Sequence, residues 1–205
     1  MAAEILDPRG AFLYGREHGG QFGEVGLIDA LLDRVGIANR WCFEVGAVDG
    51  RYYSNTLHLR EQGWWAMLIE ADEAKWRALH TRYTSPKVFC YHYKVDRYRL
   101  DSLLLEALLT IGGPPVELDL GVIDIDGQDY WAWEGMTRFR PRVMMVEYAC
   151  GKLSAPVPPE GATTGQAGLS EIVALGKEKG YVALCRTEVN VLFVRADVLD
   201  PARRV

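Results

Sequence analysis

The chain is poor in the features that mark a metal centre, a membrane span or a nucleic-acid surface. Its four cysteines, Cys42, Cys90, Cys150 and Cys185, are scattered and form no C-x-x-C pair. That spacing argues against structural zinc and predicts buried or semi-buried free thiols in a reducing cytosol. The histidines, His18, His58, His80 and His92, form no H-x-H or H-x-x-x-H pair. His58 and His80 fall within predicted helices as structural or surface residues, and His92, near a strand end, is the one considered for chemistry. No motif marks a serine, cysteine or lysine as a nucleophile. No segment is apolar for long enough to span a bilayer. "MAAEILDPRGAFLYG" lacks the basic start and continuous apolar core of a signal peptide. The net charge is −5, with both signs mixed and no basic block. Binding to nucleic acid or to an anionic membrane is therefore not expected. Internal repeats and low-complexity runs are absent as well.

What is present is enough apolar residue for a full core. Of 205 residues, 49% are hydrophobic, which suits one domain over 1–205. A helical segment over 1–40 precedes a core over 41–205. Leu27, Ile28, Leu31, Leu32 and Val35 share one helical face, with Gly36 as the stop. "WCFEVGA" reads as a strand, and "SNTLHLREQG" as a helix with Ser54 at its N-cap and Gly63 at its end. "WWAMLIEA" is the next strand, followed by a helix capped by Asp72. "KVFCYHY" then precedes "LDSLLLEALLTIGG", a helix stopped by paired glycines. "VELDLGVIDID" and "PRVMMVEYAC" are strands flanking a short helix, "DYWAWEGMTRF". A long Pro/Gly-rich loop leads to the helix "LSEIVALGKEKG" and two closely spaced strands, "YVALCRT" and "VNVLFVRA".

Repeated alternation of strand and helix predicts an α/β fold with a Rossmann-like, mostly parallel seven-stranded sheet and helices on both faces. The last two strands are joined too tightly for a parallel crossover, so they should form an antiparallel hairpin.

Ligands of such sheets bind beyond the carboxyl ends of the strands, near the switch in strand order. That rule selects Glu44, Gly46, Asp49 and Gly50 after the first strand and Glu70 and Asp72 after the second. Asp124, Asp126, Asp129 and Glu147 follow the fourth and fifth. Gly46 and Gly50 give G-x-x-x-G, not the G-x-G-x-x-G of a dinucleotide fingerprint, and no G-K-[ST] is present. Carboxylates line a pyrophosphate poorly but suit a cation, and S-adenosylmethionine (SAM) carries an ammonium and a sulfonium. Glycine lets a backbone approach such a ligand closely, although a tight turn without a ligand explains the same loop. Glu70 can accept hydrogen bonds from both ribose hydroxyls.

In "VIDIDGQDYW", strand alternation predicts Asp124 and Asp126 on one side. Their repulsion calls for hydrogen bonds, a raised pKa or a cation: SAM, a substrate amine or a divalent metal. Asp126 and Glu147 could form an all-oxygen Mg²⁺ site. Asp129 fits a helix cap equally well. Tyr130, Trp131 and Trp133 could wall a substrate pocket, with at least one of them in the core.

Five stretches in order, "QFGEVG", "FEVGAVDGRYYSNT", "GWWAMLIEAD", "DIDGQDYW" and "RPRVMMVEY", resemble the FkbM-type SAM-dependent methyltransferases. The tail "GLSEIVALGKEKGY…NVLFVRADVL" is similar too, so the resemblance runs from about residue 20 onward. It implies a class I methyltransferase fold, a small-molecule acceptor and SAM as cofactor. It maps Glu44, Gly46, Ala47, Asp49, Gly50, Ser54 and Asn55 to the SAM loop, and Glu70 with Ala71 to the ribose. Asp124 and Asp126 would face the methyl end. Aligned with the D-G-x-H motif of macrolide sugar O-methyltransferases, Asp126 and Glu147 take metal-ligand places and Asp129 stands where the base His would be. Asp129 or Glu147 is then the candidate catalytic base. Two positions depart from the pattern: Val25 replaces the usual Asp after "QFGE", and Ala149 replaces the Asn common after "EY". If that Asn binds substrate, specificity is altered or activity reduced here.

Overall fold

The structure, a computed structural model, describes residues 20–110 and 117–199. His18 and the paired glycines Gly112 and Gly113 lie outside them. Helix α1 (Glu24–Val35) leads into β1 (Trp41–Val45), α2 (Leu57–Glu61) and β2 (Trp65–Glu70). Then come α3 (Glu73–Arg82), β3 (Val88–His92), α4 (Leu100–Thr110) and β4 (Leu120–Ile123). The chain continues through α5 (Asp129–Gly135), β5 (Val143–Glu147) and α6 (Leu169–Glu178). It finishes with β6 (Tyr181–Arg186), β7 (Asn190–Arg195) and the short α7 (Ala196–Leu199).

The seven strands form one sheet in the order β3-β2-β1-β4-β5-β7-β6. β1 to β5 pair in parallel, and β7 is antiparallel to both β5 and β6. Alternation along each buried strand sends side chains to two separate cores. Phe43, Val45, Met67, Ile69, Met144, Val146 and Phe193 pack on one face. Cys42, Ala66, Leu68, Val143, Met145 and Leu192 pack on the other. α1 adds Leu27, Ile28, Leu31 and Leu32 to the second face, and α4 adds Leu100, Leu103, Leu104 and Leu108 to the first. This two-sided burial explains why the parallel strands read as continuous apolar runs.

Helix ends follow local chemistry. Gly36, at φ 76°, stops α1 by donating its N–H to the Leu32 carbonyl. The Asp72 side chain caps α3 by accepting from the Lys75 N–H. Ser54 does not cap α2. The helix starts after Thr56, and no side chain caps it. The Ser54 hydroxyl instead donates to the buried carboxylate of Glu44 at 2.7 Å, a stronger, charge-assisted bond. Asp129 is likewise inside α5, with Gln128 at the N-cap position. β4 ends at Ile123 and Asp126 has φ 55°, so strand alternation does not relate Asp124 to Asp126. Cys150 is exposed, unlike the other free thiols.

Candidate active site

The order of strands reverses between β1 and β4, and there the carboxyl ends of the strands come level. Val45 pairs with Ile69 on one side and with Ile123 on the other, and Ile123 neighbours Val146. The residues that follow therefore converge. Gly46 and Ala47 donate N–H groups to the Ile69 carbonyl, and Asp124 donates to the Val45 carbonyl. Above this edge lies a cavity of about 340 Å³, within the range of roughly 300–1,000 Å³ for small-molecule sites.

Of the residues expected from sequence to hold a cofactor, Glu44, Gly46, Asn55, Glu70, Ala71, Asp124 and Asp126 line this cavity. Ala47, Asp49, Gly50 and Ser54 are not in its lining. They build the loop from beneath. Asp49 accepts from the Arg51 and Tyr52 N–H groups and from Arg82. Gly50 offers its carbonyl to Arg60 and to the Tyr83 hydroxyl. The two glycines are required by the chain itself. Both have positive φ, and a Cβ on Gly46 would run into the Asp124 carbonyl, while one on Gly50 would meet Tyr83 and Leu79. The turn explanation accounts for their presence, so any argument for a ligand must rest on the carboxylates.

These carboxylates differ in how they are satisfied. Glu44 is held by three local donors: Ser54 and Thr56 hydroxyls reach one oxygen and the Asn55 N–H the other. Glu70 accepts the Val48 N–H on one oxygen and the Asp72 N–H on the other, both at 2.8 Å. Each oxygen keeps a second lone pair. The Val48 backbone is left-handed, φ 50°, a costly conformation for a β-branched residue. Asp124 is half-buried, and among the described residues no donor reaches its carboxylate. Burial, then the neighbouring Asp129, Glu44 and Asp126 carboxylates, push it up to about 7.

Glu147 accepts from the Asp126 N–H at 3.1 Å and from Gln166 at 2.6 Å, both on one oxygen. Burial first, then Asp124 and Asp129, push it up to about 9. Asp129 is buried, and its two oxygens accept the Ile125 and Gly127 N–H groups at 2.8 and 2.9 Å. Its pKa is raised by burial against those bonds. It shapes the 125–127 turn and is not in the cavity lining, unlike Glu147.

Other expectations fall elsewhere. None of Tyr130, Trp131 and Trp133 lines the cavity. Trp133 is fully buried in the core, and Trp131 donates to the Pro158 carbonyl in the long loop. His92 stacks on Trp76 and approaches the Ala71 carbonyl at 3.1 Å. Val25 and Ala149 are buried outside the lining. Among the described residues, no group of three or more His, Cys, Asp or Glu is placed to hold a metal ion, so the Mg²⁺ expectation at Asp126 and Glu147 finds no support. Burial pushes Cys42 and Cys185 up to about 12 and Cys90 to about 11, which leaves no thiolate at these positions at neutral pH.

Several lining residues escaped the sequence. Tyr93, Lys94 and Val95 follow the end of β3, and applying the strand-end rule to that strand as well would have found them. Tyr52 and Tyr53 stand 61% and 48% exposed on the cavity rim with ring centroids 4.0 Å apart. An aromatic pair inside a polar turn was the available signal. Lys75 lines the cavity from the first turn of α3, and Gln21 from before α1.

No family model and no curated protein matches the chain. Solved structures do. A SAM-dependent methyltransferase from Aquifex aeolicus aligns over 93% of this chain and 99% of its own, with 11% identity and a TM-score of 0.50. The N-terminal domain of EvdMO1, with SAH bound, aligns over 95% and 99%, with 13% identity and a TM-score of 0.50. Magnesium protoporphyrin IX methyltransferase from Synechocystis PCC 6803, with SAM bound, aligns over 91% and 89%, with 12% identity and a TM-score of 0.51. At such identities the likeness is one of fold: the Rossmann-like α/β sheet of class I methyltransferases with its C-terminal antiparallel strands.

Proposed function

We propose that this chain is a SAM-dependent methyltransferase of the FkbM type that methylates an oxygen of a small molecule, a sugar or specialised metabolite, in the cytosol. The observation that carries the reading is an acid-lined cavity at the switch point, with an Asp124 carboxylate that no donor among the described residues satisfies. A buried carboxylate without donors is costly unless it is neutralised. The donor set fits the cofactor. Glu70 has spare lone pairs for two ribose hydroxyls, and Asp124 faces the space where a cation would rest.

Bound SAM supplies an electrophilic methyl group on a cationic sulfur. The protein's share is alignment and exclusion of water. Gln166 and the Asp126 N–H fix one Glu147 oxygen, leaving the other to take the acceptor hydroxyl's proton. A cation in the cavity favours the ionised form of Glu147 and so its action as a base. Glu147→Gln is expected to lower kcat by about 10²–10⁴-fold. An unchanged rate would remove Glu147 from the mechanism.

A second reading, a nucleoside binder without catalysis, has Ala149 in its favour. Calorimetry with SAM, SAH and NAD is the direct test of cofactor class. SAM and SAH are expected to bind and NAD is not; binding of NAD alone would overturn the proposal. Release of SAH from SAM with a pool of hydroxylated metabolites then separates an enzyme from a binder.

A further inference from the structure

The mouth of the cavity carries two aromatic rings that the fold does not bury. Tyr52 and Tyr53 both line it and both are exposed, with ring centroids 4.0 Å apart and planes tilted by 41°. Their support is fixed. The Tyr52 N–H donates to Asp49 at 2.8 Å, and Arg82 holds Asp49 in turn. Just beyond the pair, the Asn55 N–H donates to Glu44 at 2.7 Å. Tyr53 has φ 52°, a left-handed backbone that a bulky residue adopts at a cost. Single surface aromatics need no explanation, but an anchored pair opening onto a cavity is a surface for a ligand.

The rings stand on the side where an acceptor enters. Glu70 ends β2 and Asp124 follows β4, on either side of β1 in the sheet. A cofactor held by both lies along the strand ends, where Glu70 is buried. The loop between β1 and α2 presents Tyr52 and Tyr53 on the open side of that line. The polar lining suits a sugar poorly, because each hydroxyl taken out of water needs a partner. Three amide side chains line the cavity among the described residues, Gln21, Asn55 and Gln128. Gln128 is spent on the Pro159 and Ala162 carbonyls and the Gly161 N–H, and Asn55 is buried. Gln21 and the exposed Asp126 are left, with Lys75 and Lys94 standing on the ribose side, in α3 and after β3. Tyr93, Val48, Val95 and Ile125 add apolar surface to the same lining.

From this arrangement we infer that the acceptor substrate is a phenol, an aromatic ring carrying the reacting hydroxyl, which stacks on Tyr52 and Tyr53. This rests on the methyltransferase reading and narrows its substrate class. Offset and edge-to-face contacts between rings favour an aromatic guest over a saturated ring of the same size. The chemistry agrees. A phenol ionises near about pH 10, whereas water requires about 15.7 and aliphatic alcohols resemble water. A carboxylate base therefore meets a much smaller uphill step with a phenol. The phenolic oxygen bonds to the methyl carbon of SAM as the carbon–sulfur bond breaks, and that electron pair stays on sulfur. The phenolic proton passes to the free Glu147 oxygen, leaving SAH and an aryl methyl ether.

The test uses the full chain saturated with SAH. Failure of SAH to bind would remove the methyltransferase reading and this inference with it, whereas SAH binding without the preference below removes the inference alone. 2-Naphthol, tyrosol and resorcinol are titrated by calorimetry against their ring-saturated counterparts, with methyl glucoside and methyl galactoside as a sugar arm. At least one phenol is expected to bind ten-fold or more tightly than its saturated counterpart, and to yield SAH and its methyl ether when SAM replaces SAH. Tyr52→Leu and Tyr53→Leu keep apolar surface without the ring, and each is expected to cut that preference three-fold or more. Tyr52→Phe and Tyr53→Phe are expected to retain it, with SAH affinity and Tm near the parent's in all four variants. Equal or absent binding across all pairs, tighter binding of a sugar, or a preference that survives both leucine variants would overturn the inference. Loss of the preference in the phenylalanine variants would assign the effect to the hydroxyls instead of the rings and overturn it too. So would a loss confined to SAH affinity, which would place the rings on the cofactor.

Discussion

Gly46 shows how a residue is fixed by backbone geometry before any ligand is considered. Its φ of 85° favours glycine, and the space a Cβ would occupy is filled by the Asp124 carbonyl just after β4. Gly46→Ala is therefore expected to destabilise the ligand-free protein by about 2–4 kcal/mol, combining steric overlap with left-handed strain. Thermal or urea denaturation without ligand measures this. A variant as stable as the parent but unable to bind SAM would show that the glycine serves the ligand instead. The spacing of Gly46 and Gly50 was legible in the sequence, but its cause was not, because the obstructing atoms come from Asp124 after β4 and from Leu79 and Tyr83 at the end of α3. Glu70 was legible for the opposite reason: a charged residue ending an apolar strand needs only local context to be noticed.

At the scale of elements, the strand-helix alternation was readable because two-sided burial writes apolar runs into β1, β2, β4 and β5, and capping chemistry marks Asp72 and Gly36. Side chains that bridge elements were not readable. Ser54 resembles a helix cap by type and position, yet Glu44, ten residues earlier, takes its hydroxyl. Arg60 also donates to the Ser54 oxygen at 2.7 Å, so Ser54 relays between a buried acid and a buried cation. If this relay is its role, Ser54→Ala costs about 1–2 kcal/mol through the Glu44 site, leaving helix content unchanged. A double-mutant cycle of Ser54→Ala with Glu44→Gln is expected to show coupling of about 0.5 kcal/mol or more. Additive losses with reduced helicity would return Ser54 to the role of a cap. Asp129 illustrates the same limit: its use by the Ile125 and Gly127 N–H groups depends on a turn that no periodicity encodes.

For the whole molecule, these placements set a pH dependence of sign opposite to ordinary alkaline tolerance. Asp124 and Glu147 have folded-state pKa values raised to about 7 and about 9 by burial and by neighbouring carboxylates. The folded protein therefore keeps protons that the unfolded chain releases above about pH 4. Their contribution is fully present below that pH and is lost as pH rises through about 7 and then about 9. Carboxylates such as Glu117 act in reverse: Arg195 and Arg142 outweigh the effect of its burial and lower its pKa, so that contribution is lost only in acid. Ligand-free protein should thus be most stable near about pH 5 and weaken toward pH 9.

Asp124→Asn removes one source of the alkaline loss. It is expected to raise the ligand-free Tm at pH 8 by about 2–6 °C, on the order of 1–2 kcal/mol, and to change little at pH 5. On the proposed function, the same substitution removes a counter-charge for a sulfonium. In the parent, the affinity of SAM relative to uncharged-sulfur SAH should therefore grow as pH rises through about 7, and in Asp124→Asn that growth should flatten. Thermal denaturation and calorimetry at pH 5.5, 7 and 8.5 follow both effects. A parent protein whose Tm rises steadily to pH 8.5 without ligand, or a SAM-to-SAH preference independent of pH, would mean that Asp124 does not bear the unbalanced charge assigned to it.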